Sequence, residues 1–323
     1  MADSGTGSGD EAVAAADAAG TTAAPHGARL WLGSLVALGS SVTFALNMVL
    51  ARLAYDAGAN IHALNLGRAV LFLVAILLWL RLAGQPLGLP RRALVLSLAL
   101  GVLLCAEMYL LLGAIIFIPV SLTILIMYSY PLLLAAPTWA TGREPISAAR
   151  IGALVVAFAG LGLALAAPAD APDWRGLALA AASAVTLGTL LVVSEHTMAG
   201  RDNRVVMLYM MVSTSGIVGL LSLGVVELAW PAGGPASGTG WLAFGGSIVL
   251  YVLATFLLFT AVSMIGPLRT AAIDNTSPVW ALLFGLWLIG ETLAPRQMLG
   301  VALMVAALIA LQIVQRPRRP MHG

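Results

Sequence analysis

Residues 119–144, PVSLTILIMYSYPLLLAAPTWATGRE, and residues 267–291, PLRTAAIDNTSPVWALLFGLWLIGE, decide how this chain folds. Each segment is an apolar run with a proline near its middle, Pro131 or Pro278, and each ends at a glutamate thirteen residues after that proline. One segment lies in each half of the chain. Because self-similarity at a fixed spacing indicates a repeat, we interpret them as equivalent helices of two related halves.

The composition of the whole chain is that of a membrane protein. Of its 323 residues, 60% are hydrophobic and 9% are charged, and the mean hydropathy is +0.98. A soluble domain carries about 25% charged residues, so an ordinary soluble enzyme is excluded. A membrane-spanning helix needs roughly 20 apolar residues. We place ten such spans at about residues 30–51, 61–83, 93–117, 119–140, 147–167, 174–193, 205–229, 241–263, 267–289 and 297–315.

The arginines predict the orientation of these spans. Twelve of the 16 lie in segments that are cytosolic if the N-terminus is inside, and three lie in the external segments. Since an excess of basic residues marks cytoplasmic loops, we expect a multi-pass protein of the inner (plasma) membrane with both termini cytoplasmic. Residues 1–28 and 317–323 are predicted to be cytosolic tails, the first of them disordered.

The predicted fold is an all-α integral membrane protein with ten transmembrane helices arranged as two inverted five-helix repeats. The repeats are placed at residues 29–167 and 168–316. Five is an odd number of spans, so the second repeat enters the membrane from the side opposite to the first. Inverted repeats that meet at the bilayer midplane are typical of secondary transporters.

Several short motifs accompany the two proline-centred segments. Asn47 and Arg52 lie near the end of the first span, Arg68 lies in the second, and MYSYP occupies residues 127–131. In this order and spacing the chain resembles the EamA-type members of the drug/metabolite transporter superfamily over about residues 30–315. The resemblance implies a carrier that moves small polar metabolites without ATP, often as an exporter of amino acids or related compounds.

Three ionisable residues within predicted spans are candidates for function: Arg68, Glu107 and Asp274. An ionisable group in lipid is costly, so it is expected to face a cavity or a partner. Neither Glu107 nor Asp274 matches a motif of the family. Arg68 and Glu107 differ in predicted depth by about 5 Å, which predicts a buried ion pair. The pair either holds a substrate carboxylate and changes protonation, or only fixes how spans two and three pack.

Asp274 shares one face of the ninth span with Thr270 and Ser277. Pro278 removes a backbone hydrogen bond and so frees the carbonyl of Asp274, four residues earlier. A carboxylate beside an unpaired carbonyl suits an amine, a cation or a proton. We therefore predict Asp274 and Ser277 as substrate-binding residues, and Glu107 and Asp274 as proton-coupling candidates. The alternative is a serine–aspartate contact that stabilises the kink.

Asn47, Tyr128 and Tyr130 complete the predicted substrate-binding set. Asn47 lies on a polar stripe of the first span with Ser40 and Thr43, which also suits contacts between helices. Tyr128 and Tyr130 are turned from each other by about 200° on a helix, so one is expected to line the pathway and the other to pack between helices.

The sequence predicts no enzyme, no catalytic or metal site and no cofactor. There is no lysine for a phosphate-binding P-loop, and the one cysteine, Cys105, lies inside a span. The expected partners are a small-molecule substrate and the lipid bilayer, not nucleic acid, and the chain is expected to be a monomer or a homodimer. Two other functions stay open, a passive pore and an intramembrane enzyme.

Overall fold

A computed structural model describes residues 26–130, 172–198, 203–224, 226–232, 237–265, 267–291 and 294–314, with seven helical residues between 152 and 163. Most of the described residues are helical, and none of them forms a strand. The helices are α1 (His26–Asp56), α2 (Ile61–Leu82), α3 (Arg91–Phe117), α4 (Val120–Met127), α5 (Trp174–Met198), α6 (Asn203–Ser222), α7 (Ser237–Ile265), α8 (Pro267–Asp274), α9 (Ser277–Leu288) and α10 (Pro295–Val314).

The helix lengths and their composition support an all-α membrane protein. Five segments among the described residues are long and apolar enough to cross a bilayer: Leu30–Asp56, Ile61–Leu82, Arg91–Phe117, Asn203–Ser222 and Gly238–Val262. The number of ten spans and the inverted repeat stay predictions. Most of the predicted span at 147–167, the second half of the span at 119–140 and most of both tails lie outside the described residues.

The predicted ninth span is two helices in the structure. It is interrupted at Asn275–Thr276, between α8 and α9, and Pro278 is the second residue of α9. A proline cannot donate to the carbonyl four residues earlier, and its ring clashes there, which explains the interruption. The same pattern occurs in the first half of the chain, where α4 has eight residues, as α8 does, and is followed by a turn at Tyr128–Ser129, ahead of Pro131.

The long helices pack in a bundle around α1 and α3. α1 packs along α7, and α3 packs against both α5 and α6. The main hydrophobic core lies where α1 and α3 end and α4 begins. It contains fully buried residues from each of these helices and from α2, including Met48, Leu64, Leu112, Ile115 and Ile124. This end of the bundle is therefore a closely packed apolar layer.

Two charged side chains hold the turn between α3 and α4 beside this layer. Arg52 of α1 donates from Nη1 to the carbonyl of Ile115, in the last turn of α3, at 2.5 Å. Glu291 accepts from the backbone N–H of Val120 at 2.7 Å and from the Ser121 hydroxyl at 2.6 Å, at the start of α4. A cation at a helix C-terminus and an anion at an N-terminus both complement the helix dipole. We call this region the Arg52–Glu291 end.

The close packing of α3 on α6 can be tested by a substitution at Gly101. A Cβ atom at this position would lie 2.3 Å from the backbone oxygen of Met210 and 2.7 Å from Cβ of Ser213. We therefore expect Gly101→Ala to lower the free energy of unfolding by about 1–3 kcal/mol, because the helix backbones must separate. Thermal unfolding of the purified protein in detergent measures the effect. Gly216→Ala is the matched control, since open space surrounds that glycine and its unfolding temperature should not fall. Equal unfolding temperatures for the two variants would contradict the packing.

Candidate functional site

A cavity of about 160 Å³ lies in the middle of the bundle and is bordered by side chains from α1 to α8. Glu107 of α3, Tyr128 after α4 and Asp274 at the end of α8 border it together. All three were predicted as site residues from sequence. The two carboxylates are the charged groups that line the cavity in the described part of the chain, and most of the remaining wall is apolar.

The two helix interruptions meet at the cavity. The Tyr128 hydroxyl donates to Oδ2 of Asp274 at 2.6 Å and lies 3.0 Å from Oγ of Ser277. Ser41 of α1 lies 2.9 Å from Oγ of Ser277 and donates to the backbone carbonyl of Asp274 at 3.5 Å. This is the carbonyl that Pro278 leaves without its helical partner. The polar groups freed by the interrupted helix are thus bound by side chains from α1 and from the turn after α4.

Each carboxylate at the cavity has one oxygen held by a neighbouring hydroxyl. Oδ2 of Asp274 accepts from Tyr128, and Oε1 of Glu107 accepts from the Ser183 hydroxyl of α5 at 3.2 Å. Within the described ranges, the second oxygen of either carboxylate has no hydrogen-bond partner from the protein. Glu107 is 7% exposed, whereas Asp274 is only partly buried. Both groups are therefore oriented, and both retain an acceptor for another molecule.

The predicted ion pair between Arg68 and Glu107 is not a direct contact in the structure, although the two charges do interact. Among the described residues, the salt bridge that forms joins Arg52 to Asp56, at 3.3 Å. Arg68, which is 1% exposed, instead donates from Nη2 to Oδ1 of Asn47 at 2.6 Å and to the hydroxyl of Ser247 at 2.8 Å. The prediction used only the depths of Arg68 and Glu107 along their spans. Those depths do not show that α7 packs against α1 and α2 and brings Ser247 to the guanidinium of Arg68.

Tyr251 of α7 separates Arg68 from the cavity. Its ring borders the cavity, and the guanidinium carbon of Arg68 lies 5.0 Å from the centre of that ring. Arg68 and Asn47 do not border the cavity themselves, so both belong to its wall behind Tyr251. Neither Tyr251 nor Ser247 was predicted from sequence. Ser247 and Tyr251 are four residues apart and therefore lie on one face of α7. This polar face is the sequence feature that could have predicted them as part of the site.

The remaining predicted residues take different places. Tyr130 packs against the main hydrophobic core and is not among the described residues that border the cavity, so Tyr128 is the tyrosine of the pair that does. Ser277 is not among the described residues that border the cavity, but its hydroxyl contacts that of Tyr128, which does border it. Ser40 borders the cavity and donates to the carbonyl of Ala254, at 2.9 Å, while Thr43 donates to the carbonyl of Gly39 in its own helix.

The cavity offers oriented carboxylate oxygens within a largely apolar wall. In the described part of the chain, no group of three or more His, Cys, Asp or Glu residues is placed to hold a metal ion. Carboxylates that are buried in a membrane protein mark ion pathways, proton relays or substrate sites. The geometry therefore suits binding of an amine or exchange of a proton.

Comparison with known proteins supports a transporter. Residues 174–312 match the EamA-like transporter family. Twenty-six chains of solved structures match. One, described as "Crystal structure of protein", has a TM-score of 0.58 and 20% identity and covers 88% of this chain and 98% of its own, a likeness of fold alone. No curated protein matches the chain.

Substitutions at Asn47 and Asn65 test how the buried Arg68 is stabilised. Both asparagines are fully buried, but Asn47 binds Arg68, while neither polar atom of the Asn65 side chain has a hydrogen-bond partner among the described residues. We expect Asn47→Leu to lower the free energy of unfolding by about 1.5–3 kcal/mol, because a charged donor loses its acceptor. The matched variant Asn65→Leu should be neutral or stabilising, since no hydrogen bond is lost. Unfolding in detergent compares them, and equal losses would contradict the role of Asn47.

Proposed function

We propose that this EamA-type membrane transporter of the drug/metabolite transporter superfamily is a secondary transporter. Its cargo would be a small polar metabolite, an amino acid or a related compound, exported by alternating access without ATP. The observation that carries this proposal is the central cavity, where Glu107 and Asp274 each present an oxygen that no described residue binds, beside an interrupted helix. Discontinuous helices near the midplane form the substrate and coupling-ion sites of many secondary transporters.

The position of the cavity along the bundle supports alternating access. The residues of α1 and α3 that border it, such as Ser40, Phe44 and Glu107, come before the packed apolar layer in sequence. That layer and the two charged contacts at the Arg52–Glu291 end close the bundle beyond the cavity. In the predicted topology this end is external, so the cavity lies towards the cytosol. A carrier that exports its substrate is expected to load from that side.

The same packed layer counts against a passive pore. A pore needs a continuous file of polar groups or water through the bundle. Here Met48, Leu112 and Ile115 are fully buried between the cavity and the Arg52–Glu291 end. An intramembrane enzyme is disfavoured because the matching family is one of transporters. The orientation of the termini, the membrane and the choice between monomer and homodimer stay as predicted from sequence.

We further propose that Glu107 and Asp274 couple transport to protons. Both line the cavity, and a substrate or a proton that arrives there meets the carboxylate oxygens that no described residue binds. A carboxylate in a low-dielectric environment takes up a proton more readily, so binding and release can follow a pH gradient. Sodium coupling would instead need several oxygen ligands converging on one point.

The test of this proposal is uptake and counterflow in liposomes that contain the purified protein. Counterflow across a panel of amino acids, sugars and organic cations should identify at least one exchanged solute. Glu107→Gln and Asp274→Asn should each reduce pH-gradient-driven uptake by about tenfold, since about 1.4 kcal/mol of lost coupling has that effect. Glu227→Gln, which changes an exposed acid away from the cavity, serves as the control. Unchanged uptake in both cavity variants would remove the proton relay, and no exchange of any solute by folded protein would overturn the carrier.

Alternating access predicts that the Arg52–Glu291 end opens during transport. In a chain whose one cysteine is replaced by Cys105→Ala, Ile118→Cys provides a reporter, because Ile118 is 2% exposed and borders this end. Adding Glu291→Ala removes the carboxylate that holds the start of α4, so labelling of this cysteine by a membrane-impermeant maleimide should become faster by about fivefold to tenfold.

Asp56→Ala is the control for this labelling experiment. Asp56 borders the same region, but its carboxylate binds Arg52 rather than α4. Labelling that stays equally slow after Glu291→Ala would show that the contact does not hold this end closed.

A further inference from the structure

The charges that border the cavity have one sign. Glu107 and Asp274 are acidic, and none of the described lining residues is Arg or His. The buried cation Arg68 lies behind the ring of Tyr251, and its Nη2 is already bound by two neutral acceptors. An anionic group in the cavity would therefore lie beside two carboxylates, and Arg68, whose charge already interacts with Glu107, does not border the cavity to pair with it. A buried charge without a partner is strongly unfavourable.

The rest of the wall suits an apolar or aromatic cation. Five aromatic residues and four methionines border the cavity, among them Phe72, Tyr251 and Met211. The faces of aromatic rings attract cations, and methionine side chains adapt to the shape of an apolar ligand. The wall therefore favours an apolar body that carries a positive charge.

The volume of the cavity suits an apolar body of about one aromatic ring. At about 160 Å³, it is close to the cavity volume of about 150 Å³ that holds one benzene molecule in a protein core. A single aromatic ring, or an aliphatic group of similar size, fills such a space.

We propose that this cavity selects an amine attached to an apolar body of about one aromatic ring, and rejects the same molecule when it also carries a free carboxylate. The proposal rests on the proposed function as a carrier and narrows its cargo from amino acids to amines related to them. Specificity of this kind comes as much from repulsion of the wrong molecule as from attraction of the right one.

Asp274 is the residue that we assign to the ammonium group. It is less buried than Glu107, and the bond from Tyr128 fixes one carboxylate oxygen while the other has no partner from the described residues. An ammonium group that donates to a carboxylate makes a short, charge-assisted hydrogen bond. Glu107 would contribute through its charge from the α3 side of the cavity.

Three compounds with the same ring test this selection: phenethylamine, phenylalanine and 3-phenylpropanoate. They carry the amine alone, both groups, and the acid alone. Binding to the purified protein in detergent, measured by isothermal titration calorimetry, should be at least about tenfold tighter for phenethylamine than for phenylalanine, and absent for the acid. Counterflow of labelled phenethylamine then tests transport, with protein-free liposomes as the control for leakage of the neutral amine through the lipid; exchange no faster than in those liposomes would contradict its transport.

Two variants test whether Asp274 binds the ammonium group. Asp274→Asn should weaken phenethylamine binding by about tenfold or more, and Tyr128→Phe, which keeps the ring but frees the carboxylate, should weaken it by a smaller factor. Glu227→Gln should bind as the unchanged protein does. Size-exclusion chromatography and thermal unfolding check that each variant is folded. Because Tyr128→Phe removes only one hydroxyl, it tests the assignment if Asp274→Asn does not fold.

The outcomes separate this inference from the proposed function. Phenylalanine that binds as tightly as phenethylamine, or tighter, overturns the selection and leaves the carrier in place. The selection is also overturned if none of the three compounds binds while another metabolite exchanges in counterflow. If no solute at all exchanges, both proposals fail. Unchanged phenethylamine binding in the folded Asp274 and Tyr128 variants overturns the assignment to Asp274.

Discussion

The hydrogen bond between Tyr128 and Asp274 connects the two places where helices of this protein are interrupted. A bilayer offers no water to unpaired backbone groups, so an interrupted helix persists only where other protein groups bind its free donors and acceptors. Here Ser41 binds the carbonyl that Pro278 leaves free, and Tyr128 binds the carboxylate of the same residue. The cavity forms beside these contacts, and its chemistry follows from them.

The buried charged groups have two different kinds of surroundings. Arg68 is enclosed by Asn47, Ser247 and the ring of Tyr251, so its charge is stabilised by neutral groups within the wall. Glu107 and Asp274 instead keep an oxygen for the cavity. The charge of Arg68 still interacts with that of Glu107, but the two groups do not form a direct ion pair. Among the described residues, the charged groups that border the cavity itself are therefore the two carboxylates.

The sequence predicted the chemistry of the site better than its contacts. Composition identified the membrane protein, and the cost of charge in lipid identified Glu107 and Asp274, because both arguments are local. The Arg68–Glu107 pair failed because depth along a helix does not show which side chain of a third helix lies between two residues. The binding of Glu291 to the start of α4 joins residues 171 positions apart, and its glycine–glutamate motif gave no partner. Packing between distant helices decided both cases.

Helix α4 joins the closed end of the bundle to the cavity. Its first residue, Val120, is bound by Glu291, and Tyr128, which follows its last residue, is bound by Asp274. Both partners belong to the segment that contains α8 and α9. A helix of eight residues is about 12 Å long, so α4 places these two contacts about one helix length apart. Because one segment of the second half of the chain binds α4 at both of its ends, a movement of that segment would reach both the closed end and the cavity.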